Sequence, residues 1–151
     1  MHPRLLSKHI LPLSKVFLQG MILIFLISGC FSPDPATPLK NTYWSLVELN
    51  GEDSSNVDHQ PEVHLVFHLN DKSLHGSDGC NRIQADYTYG EKSFRFETIT
   101  STRMYCEEGM DQASVFLKAL AKTDRIEIQE DYLILYSADI EIARFEAKEA
   151  F

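Results

Sequence analysis

From about residue 39 onward, apolar and polar residues alternate in short runs, which is typical of β-strands that bury one face. The clearest run is Glu62–Leu69, in which Val63, Leu65, Phe67 and Leu69 share one face. Further strands are predicted by shorter runs that are rich in β-branched and aromatic residues. These are Asn41–Leu49, Ser73–Gly76, a short strand with Tyr87 and Tyr89, Ser93–Phe96, Thr98–Arg103, Arg125–Gln129, Tyr132–Tyr136 and Ile140–Phe145.

One segment, Met110–Lys122, has helical periodicity instead. Its apolar residues form a single stripe, which consists of Met110, Ala113, Phe116, Leu117 and Leu120. Acidic residues near its start and lysines near its end suit the helix dipole. Many short strands with one helix predict a mainly β (α+β) fold, in which an antiparallel sheet of about seven or eight strands curls into a small barrel with the helix packed on it.

Two details of this pattern concern strand faces and loops. In Asn41–Leu49 the alternation places Trp44 and Leu46 on one face and Leu49 on the other. Asn50-Gly51 then predicts a tight turn, and the polar residues 52–60 predict an exposed loop. The glycine-flanked segment 76–82 is predicted to be irregular.

The first 29 residues have the features of a signal peptide. Arg4, Lys8 and Lys15 give a positive start, and Val16–Ile27 is an apolar run of 12 residues, interrupted by Gln19-Gly20. This run is shorter than the roughly 20 residues of a membrane-spanning helix. It is within the roughly 7–15 residues of a signal-peptide core.

The segment Ile27-Ser28-Gly29-Cys30 resembles the lipobox of bacterial lipoproteins. The resemblance implies cleavage before Cys30, a lipid on Cys30 and a firm membrane anchor, because each buried methylene contributes about 0.8 kcal/mol. The alternative is an uncleaved anchor helix with a chance cysteine. Phe31 follows Cys30, whereas an aspartate there marks inner-membrane retention in enteric-type bacteria. We therefore predict a lipid-anchored protein of the cell envelope, in the outer membrane and facing the periplasm.

Residues 30–38 are predicted to be a tether between the lipid and a domain at residues 39–151. Pro33, Pro35 and Pro38 remove amide donors and favour extended backbone. Three of the chain's 14 basic residues lie in the leader, so 11 remain against 22 acidic residues, a net charge of −11. Such a negative surface repels phosphate backbones and argues against nucleic acid as a partner.

If Cys30 carries lipid, Cys80 and Cys106 are the remaining thiols. Outside the cytoplasm such a pair is most simply a disulfide, which would stabilise the fold by roughly 3–4 kcal/mol on the chain-entropy model. Free buried thiols are the main alternative, and a redox or metal pair is a weaker one because the spacing differs from Cys-x-x-Cys.

Arg82 and Arg103 each lie beside a cysteine and next to a turn or strand end. Each guanidinium could hold loop carbonyls or a carboxylate such as Asp78 or Asp86, or else bind an anion or a partner. We favour the first interpretation, with Asn81, Arg82 and Arg103 as structural or partner-contact residues.

The histidines predict no metal site. His64 and His68 would lie roughly 13 Å apart along a strand, which is too far for one ion. They are interpreted as exposed strand residues, and His59 and His75 have no obvious partners. No catalytic grouping has a recognisable context, so we predict a non-enzymatic protein without a cofactor.

Several motifs together resemble the META domain family, to which the HslJ heat-shock protein belongs. They are Thr42-Tyr43-Trp44-Ser45-Leu46, Gly79-Cys80-Asn81-Arg82, Ser101-Thr102-Arg103-Met104 with Cys106, and Phe116-Leu117-Lys118-Ala119-Leu120. The resemblance covers residues 39–145. It implies a cracked β-barrel related to lipid-binding pilot proteins, and an envelope protein linked to stress, without a catalytic set.

Two functions are consistent with these observations. The first is a membrane-anchored lipoprotein with a stress-related role that binds an envelope protein. The alternative is a carrier of a small apolar or acyl ligand inside the barrel. Trp44, Phe67 and Phe96 would line the space for such a ligand, or would simply fill the core, as is commoner in small barrels.

Overall fold

The structure is a computed structural model that describes residues 37–54, 60–90 and 93–148. The predicted signal peptide, the lipobox with Cys30, most of the tether and His59 lie outside the described residues. Within the described residues, no helix is long and apolar enough to cross a membrane.

The described residues form nine strands and one helix. The elements are β1 (Tyr43–Leu49), β2 (Glu52–Asp53), β3 (His64–Phe67), β4 (Ser73–Ser77), β5 (Arg82–Tyr89), β6 (Phe94–Ser101), α1 (Met110–Lys122), β7 (Arg125–Gln129), β8 (Tyr132–Ser137) and β9 (Ile140–Lys148). Eight strands follow the order β6-β5-β4-β3-β1-β9-β8-β7, and β2 pairs only with β1. All strand pairings between these elements are antiparallel.

The sheet curls until its two outer strands, β6 and β7, approach each other. The backbone N–H of Phe94, at the start of β6, donates to the carbonyl of Asp124, just before β7, at 2.8 Å. The strands do not otherwise pair, so the sheet is a half-barrel with an open edge. The predicted mainly β fold, an antiparallel cracked barrel with one packed helix, is confirmed.

The core lies between the concave face of the sheet and α1. Trp44, Phe67 and Phe145 are fully buried, and Phe116 of the helix packs with its ring centroid 6.1 Å from that of Phe145. The bounds of the helix match the prediction. Its stripe differs at the start, since Met110 is 41% exposed and Ala119 is buried instead.

A β-bulge in β1 corrects the predicted faces of this strand. The register against β9 shifts between Leu46 and Glu48. The extra residue reverses the alternation, because a bulge places two residues opposite one. Leu49 therefore joins Trp44 and Leu46 in the core, although simple alternation places it on the opposite face.

The turn after β1 forms as predicted, with Asn50 and Gly51 both at positive φ. Glu52 and Asp53, which were predicted to belong to an exposed loop, pair with β1 as β2.

Two further differences concern β5 and β6. The β5 strand runs over eight residues from Arg82, and it was only partly predicted because its buried positions include the small Ala85. The predicted strands Ser93–Phe96 and Thr98–Arg103 are one strand, β6, with Thr98 at φ 48°. The register shift opposite, between Gln84 and Asp86, accommodates this residue.

Candidate functional site

The loop that joins β6 to α1 is held against the turn between β4 and β5. The side-chain oxygen of Asn81 accepts hydrogen bonds from the Thr102 hydroxyl at 3.1 Å and from the Met104 backbone N–H at 2.7 Å. Arg82 and Thr102 add a backbone hydrogen bond of 3.1 Å. The two motifs that are 20 residues apart in sequence therefore form one structural unit.

Asp78 organises the turn from which Asn81 projects. Its buried carboxylate accepts hydrogen bonds from the backbone N–H groups of Cys80 at 2.9 Å and Asn81 at 2.5 Å. Gly79, between Asp78 and Cys80, has φ +93°, and an added Cβ would lie 3.2 Å from a methyl carbon of Val63. The turn thus requires glycine at this position, both for its backbone conformation and for space.

A disulfide joins Cys80 to Cys106 across the same unit. Their Cα atoms are 6.0 Å apart and their sequence separation is 26. The bond closes the loop at the end nearest the helix, while Asn81 holds its middle. The predicted pairing is thus present in the structure.

Arg82 and Arg103 do not make the contacts that we favoured from the sequence. The Asp78 carboxylate is occupied by backbone amides and by Ser101. Within the described residues, neither guanidinium has a hydrogen-bond or ion-pair partner, and both side chains are exposed. The described part of the chain therefore shows no contact in which either arginine ties loop groups together, and both side chains face solvent.

Exposed apolar side chains lie beside these cations. Met104 is 60% exposed, Tyr105 85% and Met110 41%. A concave space of about 500 Å³ is lined by Arg103 and by all three of these side chains. We define the motif surface as the following five residues: Arg82, Arg103, Met104, Tyr105 and Met110. The sequence pattern pointed to the two arginines but placed Met110 in the core.

The histidines show a contact that the sequence did not predict. His68 Nε2 lies 2.7 Å from His75 Nδ1, and His68 Nδ1 lies 2.8 Å from the Ser73 hydroxyl. Burial, together with the neighbouring His68 and His64, lowers the pKa of His75. His75 therefore has a partner, contrary to expectation. His64 stacks on Tyr43 with ring centroids 4.5 Å apart.

The Ser73 and His68 pair does not have the geometry of an activated serine nucleophile and its base. A catalytic carboxylate holds the histidine nitrogen that is remote from the serine. Here Asp71 accepts from Ser73 itself, through the hydroxyl at 2.6 Å and the backbone N–H at 3.0 Å. The far nitrogen of His68 contacts His75 instead. Asp71 thus caps the hairpin turn between β3 and β4, which is a structural role.

Among the residues described, no group of three or more His, Cys, Asp or Glu side chains could hold a metal ion.

The three aromatic side chains that could line a ligand space in the barrel are packed in the core. Trp44 and Phe67 have no exposed surface, and Phe96 is 5% exposed. The Phe67 ring contacts those of Tyr87, Phe94 and Phe96 at centroid distances of 5.3, 6.4 and 6.3 Å. These side chains fill the core.

Comparison with known proteins relates the whole domain to one family. A family model for the META domain matches residues 37–150. The fold is similar to the NMR structure of a protein from Burkholderia xenovorans, with a TM-score of 0.60, 24% identity, and coverage of 82% of this chain and 96% of that chain. A second NMR structure has a TM-score of 0.56 and 16% identity, and covers 71% of this chain and 90% of that one. No curated protein matches significantly. Nearly all of each of these two solved chains lies within the match, so each of those proteins folds without a further domain.

Proposed function

The chain belongs to the META domain family, and we propose that this member is a non-enzymatic, lipid-anchored envelope protein that binds a partner protein through the motif surface. The family is not one of known enzymes, which agrees with this proposal. The resemblance to HslJ implies a stress-related role, which forms part of this proposal.

The observation that carries the proposal is the composition of the motif surface. Aromatic residues, methionine and arginine are enriched at protein–protein interfaces, and Tyr and Arg are frequent hot spots. Met104, Tyr105 and Met110 expose apolar area that a partner would remove from water. Arg103 lines the same concave space and Arg82 lies near Met104, and neither has a partner in the described part of the chain, so carboxylates of a partner could pair with them.

The second support is the rigid base beneath this surface. The disulfide, the Asp78 turn and the Asn81 hydrogen bonds fix the backbone from which Met104 projects. A surface that is ordered before binding loses less conformational entropy when the partner docks. In this proposal, the family motifs form the rigid frame of the interface.

Site-specific photocrosslinking in intact cells tests the partner. A photoreactive amino acid replaces Tyr105 in one strain and Ile140 in a control strain. Ile140 is also apolar, is 68% exposed and lies outside the motif surface. We expect a discrete adduct from position 105 that is absent from position 140.

A second variant makes this result specific. Met104→Asp in the Tyr105 photocrosslinking strain places a charge in the apolar centre of the surface, at an exposed position where folding is expected to be retained. The adduct should then fall at least fivefold. Equal adducts from positions 105 and 140, or an adduct that Met104→Asp leaves unchanged in a folded protein, would contradict the proposal.

Metabolic labelling tests the anchor separately. Cells grown with a clickable palmitate analogue should label the wild-type protein and not Cys30→Ser. Cys80→Ser/Cys106→Ser is the matched control, because it removes thiols without touching the predicted lipobox, and it should keep the label. A wild-type protein with Met1 retained and Cys30 unmodified, measured by intact mass, would contradict the anchor.

A further inference from the structure

An apolar groove lies at the open edge of the half-barrel, on the side of β7. Its walls include Ile126 and Ile128 of β7, Tyr87 and Tyr89 of β5, and Leu39 of the segment before β1. The cavity volume is about 620 Å³, within the usual range for small-molecule sites of roughly 300–1,000 Å³. We name this site the edge groove.

The groove exists because the sheet does not close at this point. Leu39, Ile126 and Ile128 pack against the core but stay partly exposed, because no strand follows β7 on its open side. Tyr89 is 63% exposed at the rim. A long apolar molecule placed here would remove apolar area from water on both walls.

Two lysines, Lys40 and Lys72, also line the groove. The Lys40 ammonium donates to the backbone carbonyls of Leu69 and Asp71, both at 3.1 Å, and one of its three N–H groups remains. Lys72 is exposed, and within the described residues its ammonium has no partner. Glu127 also borders the groove, but its carboxylate pairs with Arg125. The Lys40 ammonium also interacts electrostatically with the neighbouring Asp71 carboxylate. Lys72 therefore supplies the unpaired positive charge among the described residues of this site, in a domain whose net charge is strongly negative.

We propose that the edge groove binds a single-chain amphiphile with an anionic head, of the chemistry of a long-chain fatty acid. The acyl chain lies between Ile126 and Ile128 of β7 and the tyrosines of β5. The carboxylate accepts hydrogen bonds from Lys72 and from the free N–H of Lys40. This site is separate from the packed interior and from the motif surface, and it does not require the lipid on Cys30.

The position of the groove fits such a ligand. Leu39 and Lys40 directly follow the predicted tether, so on an anchored protein the groove would lie close to the point where the chain leaves for the membrane. Because hydrogen bonds between charged groups are stronger than those between neutral groups, the anionic head should strengthen binding about tenfold.

Fluorescence titration with cis-parinaric acid, and displacement by palmitate, test the proposal on the folded domain from residue 34. We expect saturable binding of one molecule per chain. Hexadecanol, which has the same chain length without a charge, should displace the probe at least tenfold more weakly than palmitate.

Charge reversal then locates the head group. Lys72→Glu should weaken palmitate binding at least tenfold. Lys118→Glu is the matched control, since it makes the same change in net charge at an exposed position on α1, and it should change affinity less than twofold. NMR methyl signals of Ile126 and Ile128 should shift on titration, and that of Ile140 should not.

Absence of saturable binding at micromolar probe would overturn the proposal. So would equal effects of Lys72→Glu and Lys118→Glu, or methyl shifts confined to other parts of the domain. If hexadecanol displaced the probe as strongly as palmitate, the site would bind apolar chains without recognising an anion. That result would also overturn the proposal. If the partner experiments on the motif surface fail, these measurements are unaffected, because the two sites share no residue.

Discussion

The side-chain oxygen of Asn81 accepts a hydrogen bond of 2.7 Å from the backbone N–H of Met104, 23 residues further along the chain. This contact joins the two motifs in space. The loop that contains Met104 has no regular secondary structure, so its backbone N–H groups need partners from elsewhere. Asn81 provides one such partner from the neighbouring turn and so fixes the position of the exposed Met104 side chain.

Removing this acceptor should destabilise the domain and loosen the loop. Asn81→Ala deletes the two hydrogen bonds that the side-chain oxygen accepts and a long one of 3.5 Å that the amide nitrogen donates to Asp78. The two shorter bonds contribute about 0.5–1.5 kcal/mol each, so we expect a loss of about 1–3 kcal/mol in urea unfolding. Hydrogen exchange of the Met104 amide should accelerate in the native state. Thr88→Ala, which removes an exposed hydrogen bond to Glu97, is the control and should change stability by less than about 0.5 kcal/mol.

The disulfide should contribute more than any single hydrogen bond. A loop of roughly 25 residues corresponds to about 3–4 kcal/mol in the chain-entropy model. We expect Cys80→Ser/Cys106→Ser to lose about this much, and reductant to lower the thermal midpoint of the wild type but not of the double variant. An unchanged midpoint in reductant, with two free thiols counted after denaturation, would show that the bond is absent.

The strand pattern and the helix could be predicted because each follows from a local period. The alternation of Val63, Leu65 and Phe67 predicts the strand β3. The helical spacing of apolar residues in Met110–Lys122 predicts the helix α1. The bulges at Leu46–Glu48 and Thr98 could not be predicted in this way. A bulge depends on the register with a partner strand, which is not encoded within the strand itself.

The candidate sites were predictable to different degrees. The cysteine pair follows from counting thiols, and Arg82 and Arg103 were singled out by their neighbours in sequence. Their lack of partners was not predictable, because it depends on Asp78 being occupied by backbone amides. The edge groove gave no sequence signal, since Leu39, Lys72 and Ile128 are brought together only by the curl of the sheet.

Removing the hydroxyl of the buried Tyr87 should stabilise the domain. Tyr87 is 4% exposed, and among the described residues its hydroxyl has no hydrogen-bond partner. An unsatisfied buried polar group costs roughly 1–3 kcal/mol, so Tyr87→Phe should raise the free energy of unfolding by about 1 kcal/mol. The matched control is Tyr43→Phe, because the Tyr43 hydroxyl donates to Glu62 at 3.3 Å. That variant should be destabilised, and a loss of stability in Tyr87→Phe would show that its hydroxyl has a partner after all.

Stability should depend on pH through Glu62. Burial opposes ionisation of this carboxyl, but hydrogen bonds from Lys148, Ser45 and Tyr43 outweigh it and lower its pKa below the usual 4.5. A lowered carboxyl pKa gives stability that is present above the unfolded-state value and is lost as pH falls through the folded-state value. The contribution of these contacts should therefore be complete at neutral pH and decline below about pH 4.5.

Urea midpoints of the wild type and Glu62→Gln, measured from about pH 7 to about pH 3, test this dependence. The variant should be less stable at neutral pH, because it loses the ion pair with Lys148. The difference between the two proteins should shrink in acid, since protonated Glu62 resembles glutamine in charge. The phenol of Tyr43 gives an independent readout, because burial and the neighbouring Glu62 raise its pKa to about 12. In Glu62→Gln, absorbance titration should find this pKa lowered, and a difference in midpoints that is constant with pH would contradict the assignment.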